Sequence, residues 1–136
     1  MPQKINHIGI AVNDIEEAAK FYTETLGLEL GGIEEVPDQK VRVAFLPIGE
    51  VRIELVQPTS PESPVAKFLE KNGQGFHHIA YQVDDTGAEV ERLLGDGVRM
   101  VDQKPRTGAH NTSIAFVHPK ASGGVLTELV QEMEHE

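Results

Sequence analysis

Four residues of the 136-residue chain pair metal-binding chemistry with recurrence at matching places: His7, Glu54, His78 and Glu128. His7 and His78 open two similar stretches, His7-Ile8-Gly9-Ile10-Ala11-Val12-Asn13-Asp14 and His78-Ile79-Ala80-Tyr81-Gln82-Val83-Asp84-Asp85, which lie 71 residues apart. Glu54 and Glu128 sit inside Val51-Arg52-Ile53-Glu54-Leu55-Val56-Gln57 and Val125-Leu126-Thr127-Glu128-Leu129-Val130-Gln131, where five of seven positions coincide at an offset of 74. An imidazole and a carboxylate from each copy form a two-nitrogen, two-oxygen set. Such a set suits an octahedral divalent ion with two positions left for water or substrate. A carboxylate in the sheltered middle of a strand needs a cation, because an unpaired buried charge is costly. Taken singly, each of the four would be an ordinary structural or solvated residue; their recurrence is what sets them apart.

The elements that must hold them follow the same duplicated plan. From His7 to Val12 the pattern alternates, with Ile8, Ile10 and Val12 on one face and His7, Gly9 and Ala11 on the other, which reads as a half-buried strand. The small neighbours leave room above the histidine's face. Asp14 followed by Glu17 is a capping-box start, and Ile15, Ala18, Ala19, Tyr22 and Leu26 continue at helical spacing up to Gly27. Strands are predicted near Glu29–Glu35, Val41–Leu46 and Val51–Val56. The second copy predicts a strand at His78–Val83, a helix from Thr86 to Gly95, and strands near Val98–Asp102, Ser113–Val117 and Val125–Val130. Between the copies, Pro58 to Pro64 is a stiff linker leading into a short amphipathic helix with Val65, Phe68 and Leu69. The expected class is α+β: two tandem βαβββ modules related by pseudo-two-fold symmetry. The expected organisation is one domain over 1–136, with module 1 at about 5–57, the linker and short helix at 58–76, and module 2 at about 77–132.

Composition removes several function classes. The net charge of −10 argues against a nucleic-acid-binding surface, which would carry a clustered basic face. With no cysteine, thiolate zinc sites, iron–sulfur clusters, disulfides and cysteine nucleophiles are excluded. No apolar run approaches a membrane span or a signal-peptide core, so the expected location is cytoplasmic. Of the other histidines, His77 is expected to precede its strand and point away from His78. His110, His118 and His135 are expected in loops or the tail, Asp84 and Asp85 as caps and turn formers, and Gly123-Gly124 as a hairpin turn.

The histidine-led strand, the repeated module and the distal glutamate resemble the vicinal oxygen chelate superfamily, which includes glyoxalase I, extradiol dioxygenases, fosfomycin- and bleomycin-resistance proteins and methylmalonyl-CoA epimerases. The resemblance is most particular to the epimerase family. It is carried by Ser63-Pro64-Val65-Ala66-Lys67-Phe68-Leu69, by Gly75-Phe76-His77-His78-Ile79-Ala80, and by His118-Pro119-Lys120 followed by Gly123-Gly124-Val125-Leu126-Thr127-Glu128-Leu129. It implies metal ligation by His7, Glu54, His78 and Glu128, with Co2+ the ion expected and Mn2+, Ni2+, Zn2+ or Mg2+ also compatible with the donors. It implies interconversion of the 2R and 2S epimers of methylmalonyl-CoA, by removal of the C2 proton, charge neutralisation on the enolate by the ion, and reprotonation on the other face. A homodimer is expected on the same ground, with an acyl-CoA as the small-molecule partner and neither nucleic acid nor membrane.

One form of the family has Gln at the second ligand position and a Glu on the middle strand of the first module as a base. This chain has Glu54 and Val43 at those places. The carboxylate has in effect changed strands, which makes Glu128 and Glu54 the candidate catalytic residues, each as ligand or as base. Lys104, Arg106 and Lys120 are the candidate partners of the CoA phosphates, since an acidic protein should gather its few cations at a polyanionic ligand. A glyoxalase I-like lactoylglutathione lyase and a non-enzymatic drug-binding protein are the competing readings. Buried paired carboxylates disfavour the drug-binding protein, and the epimerase-like segments disfavour the lyase.

Overall fold

The strand that carries His7 runs from Lys4 to Ala11 (β1), and its alternation sends Ile10 towards a helix while His7, Gly9 and Ala11 are buried on the opposite side. The structure, a computed structural model, describes residues 1–133; His135 lies outside them. The chain divides into two compact units, one of His7–His77 and one joining Met1–Asn6 to the chain from His78 onward.

In the first unit β1 is followed by α1 (Ile15–Lys20), β2 (Gly32–Val36), β3 (Val41–Ile48), β4 (Val51–Pro58) and α2 (Pro64–Asn72). The strand order is β2-β3-β4-β1, antiparallel except for the parallel β1/β4 pair. The side chain of Asp14 caps α1 by accepting the Glu17 N–H. Ile15 and Ala19 of α1 then pack on Val12, Ala44, Leu46 and Leu55, which form the helix-side core. After Lys20 the helix widens into a π turn over Phe21–Thr25, closed by the Leu26 N–H on the Phe21 carbonyl. That extra residue per turn rotates Leu26 off the apolar stripe, so Leu26 is 55% exposed and Leu28 joins the core instead. β2 begins at Gly32 rather than Glu29, with the Gly31 N–H bonded to the Phe45 carbonyl just ahead of it.

The second unit repeats the scheme with β5 (Gly75–Gln82), α3 (Thr86–Gly95), β6 (Arg106–Gly108), β7 (Thr112–Val117) and β8 (Thr127–Glu132), in the order β5-β8-β7-β6 with β5/β8 parallel. Each half is therefore strand–helix–three strands, as expected. The start of the chain lies beside β5, where the Gln3 N–H bonds the Gln82 carbonyl. The strand expected at Val98–Asp102 is absent; that stretch makes one isolated bridge, Met100 to Val117, and the short β6 forms later. Val98 and Met100 instead pack on Val90, Leu93 and Leu94 of α3. The Asp102 carboxylate meanwhile accepts the Phe116 N–H at 2.9 Å, removing the donor a ladder would need.

The repeated glutamines have a concrete task. Gln57 at the end of β4 accepts the Ile15 N–H at 2.9 Å, and Gln131 at the end of β8 accepts the Thr86 N–H at 3.0 Å. Each last strand thus satisfies an orphan donor at the start of its own module's helix. Asp85 supplies the matching N-cap on the Ala88 N–H. Asp84 accepts from the Gln3 side chain instead, and Gly123 and Gly124 turn with positive φ as expected.

Candidate functional site

Register places the four predicted ligands identically in the two halves. Glu54 lies opposite Gly9 on β1 and Phe45 on β3, and Glu128 lies opposite Ala80 on β5 and Phe116 on β7. In each case the histidine is two residues before the small residue, hence on the same sheet face as the glutamate. The small side chain leaves the space into which both reach. His7 Nδ1 lies 3.3 Å from Glu54 Oε2, and His78 Nε2 lies 3.0 Å from Glu128 Oε1. All four residues are 5% exposed.

Burying two imidazole–carboxylate pairs costs more than burying apolar side chains at the same strand positions would, which makes the pairs the candidate site. The donor chemistry fits a divalent ion: imidazole nitrogen and carboxylate oxygen on ordered strands, with no thiolate in the chain. Val43 faces Val56, and its counterpart in the second half by the 71-residue offset, Ile114, faces Val130. Neither middle strand offers a carboxylate at that place.

Two aromatic residues of the site were not singled out in the sequence. Phe45 and Phe116 obey the same 71-residue offset, within Ala44-Phe45 and Ala115-Phe116, so a third repeated block was available as a signal. His78 meets the Phe116 ring edge-on at 5.7 Å. Arg52 stands 5.9 Å over Phe45, and Arg106 stands 5.7 Å over Phe116. Arg52 also reaches Glu54, as described below.

The remaining candidates separate clearly. Arg106 is half-buried, with Nε 3.1 Å from Asp102 Oδ1, so its charge is already paired. Lys104 and Lys120 are exposed in the segments before β6 and after β7. His77 lies within β5 rather than ahead of it, because pairing extends back to Gly75, and its ring packs edge-on against Phe68 of α2 at 4.9 Å. His118 accepts the Lys120 N–H through Nδ1 at 3.0 Å; partial desolvation, then Arg99 and Lys120, push its imidazole below the usual range. His110 adopts a positive φ in the β6–β7 turn.

Residues 6–116 match the Glyoxalase/Bleomycin resistance protein/Dioxygenase superfamily. The chain is 44% identical to the ethylmalonyl-CoA/methylmalonyl-CoA epimerase of Cereibacter sphaeroides, over 94% of this chain and 97% of that one. It is 40% identical to the human mitochondrial methylmalonyl-CoA epimerase, over 94% of this chain and 73% of the relative. Among solved structures, a substituted Streptomyces coelicolor methylmalonyl-CoA epimerase in complex with 2-nitronate-propionyl-CoA superimposes with a TM-score of 0.95 at 39% identity, over 100% of this chain and 99% of that one.

Proposed function

We propose, since this chain belongs to the Glyoxalase/Bleomycin resistance protein/Dioxygenase superfamily, that it is a divalent-metal-dependent epimerase interconverting (2R)- and (2S)-methylmalonyl-CoA. The carrying observation is the duplicated buried His–Glu pair in a chain that matches epimerases over almost its whole length. The two modules, 5–57 and 77–132 with the linker 58–76 between them, act as one domain, and His7, Glu54, His78 and Glu128 are the residues that would hold the ion. Its chemistry is charge neutralisation at oxygens that gain negative charge in the transition state. Co2+ is the ion we favour, in a cytoplasmic homodimer.

The chain's own groups move the proton. The C2 hydrogen lies between a thioester carbonyl and a carboxylate, so it is the acidic one. One glutamate, of Glu54 and Glu128, takes that proton from one face, and the electron pair of the C–H bond passes into the adjoining carbonyl. The other delivers its proton to C2 from the opposite face as the carbonyl re-forms. One carboxyl ends protonated and the other ionised, and exchange with water resets the pair. A carboxylate on each face is what inversion requires, because a single base would return the proton mostly to the side it left. Phe45 and Phe116, 2% and 6% exposed, stand opposite the carboxylates in the ladder and line them with apolar surface. Lys104 and Lys120, both exposed, are the cations we assign to the CoA phosphates, whereas Arg106 is paired with Asp102.

Proton NMR of methylmalonyl-CoA in deuterated water with the metal-loaded protein tests this. The C2 proton signal should disappear at a rate that scales with protein concentration. Persistence of that signal, or faster turnover of the methylglyoxal–glutathione hemithioacetal in a parallel assay, overturns the assignment.

A further inference from the structure

Arg52 breaks the duplication beside one of the two carboxylates. It precedes Glu54 by two residues on β4, hence on the same face. Its Nε and Nη2 lie 3.4 and 3.3 Å from Glu54 Oε2, the oxygen that His7 Nδ1 also approaches at 3.3 Å. All three of these contacts fall on Oε2. The guanidinium is itself held, since it stands 5.9 Å over the ring of Phe45, Glu54's neighbour across the β3/β4 ladder. A guanidinium held on an aromatic face by the ring's quadrupole is a planar, always-charged partner that restricts where the carboxylate oxygen bonded to it can sit. At the equivalent place before Glu128, by the 74-residue offset, the chain has Leu126, which packs in the apolar cluster of Ala80, Ile114, Phe116 and Val130.

We propose that Arg52 is a positioning residue that anchors Glu54 through Oε2, presents Oε1 as its single working oxygen, and so assigns Glu54 one face of the reaction. This rests on the epimerase reading for its kinetic consequence, but the anchoring is a property of the chain alone. A pseudo-symmetric pair of glutamates would otherwise meet an unsymmetrical substrate on equal terms. With one carboxylate clamped at one oxygen, the two proton transfers have different geometric tolerances, and loss of the clamp should be felt on one face only.

The test compares Arg52→Leu, which copies the second half, and Arg52→Lys with the wild-type holoenzyme. Starting from a single epimer in deuterated water, the ratio of deuterium in recovered substrate to deuterium in product reports the relative speed of proton exchange on the two faces. Arg52→Leu should change that ratio by tenfold or more, and Arg52→Lys should restore it to within about threefold, with KM changed less than kcat. An unchanged ratio, or equal slowing of both transfers with an unrestored Lys variant, overturns the proposal. The second readout needs no turnover. In Co2+-loaded protein, release of Oε2 should alter the visible d–d absorption of Arg52→Leu relative to wild type, while Arg52→Lys stays near it. Identical spectra overturn the anchoring. If wild type exchanges no C2 proton, the epimerase reading fails, and the cobalt spectra still decide the role of Arg52.

Discussion

Moving the carboxylate from strand β4 back to β3 should move the base with it. Glu54→Gln retains a carbonyl oxygen for an ion but cannot accept a proton, so inversion should slow by about a hundred- to ten-thousand-fold, the usual worth of general acid–base catalysis. That is a loss of about 2.7–5.5 kcal/mol in transition-state stabilisation at 1.36 kcal/mol per tenfold. Position 43 faces Val56 while position 54 faces Phe45, so the two are diagonal neighbours on adjacent antiparallel strands. Their Cβ atoms are then about 7–8 Å apart, a gap that a glutamate side chain spans in large part. Val43→Glu combined with Glu54→Gln keeps one carboxylate on that face and should recover at least tenfold of the lost rate. The substitution has a stability cost that can be worked out in advance. Val43 is 4% exposed, and giving up its burial costs about 1.5–3 kcal/mol. For a chain of 136 residues, at about 4 °C per kcal/mol, the melting temperature should fall by about 6–12 °C. The assay is loss of the C2 proton signal in deuterated water, with metal content and melting temperature measured on each variant. If the double variant binds metal, melts in the expected range and is no faster than Glu54→Gln alone, the interchange of carboxylates between strands is refuted and Glu54 is not a base.

Gln131→Ala should cost about 1–2 kcal/mol, read by urea denaturation, because it leaves the buried Thr86 N–H at the start of α3 without its 3.0 Å acceptor; a change under about 0.3 kcal/mol would refute the capping role. Glu89 is held below the usual carboxylate value of 4.5 by the terminal ammonium first and by Arg92 second. Its depressed folded-state value means that its stabilisation is present above pH 4.5 and lost as the pH falls through the folded value. Glu89→Gln should therefore lower stability by about 0.5 kcal/mol at neutral pH, and its melting curve should merge with wild type in acid.

How far the residues alone led depended on whether an interaction was duplicated. The His–Glu pairs were readable because both members recur; the parallel β1/β4 and β5/β8 pairings that set each glutamate beside its histidine's strand were not. The glutamines recur for a different reason, helix capping, and the sequence contains that fact without distinguishing it from site chemistry. What escaped was decided by local competition. Val98–Asp102 has strand composition, yet the apolar surface of α3 took its side chains and the Asp102 carboxylate took the Phe116 N–H of the neighbouring strand. Leu26 obeys helical spacing, but the π turn shifts the phase just before it. Arg52 escaped for the opposite reason: it sits inside the repeated block at a mismatched position, opposite Leu126 in the alignment of the halves. A search for matches passes over it. Duplication builds two equal carboxylates, whereas inversion of an unsymmetrical carbon centre has unequal tasks for them. The mismatches adjoining the conserved pairs are therefore where the halves of such a protein should acquire separate roles, and in this chain the mismatch in direct contact with Glu54 is a guanidinium.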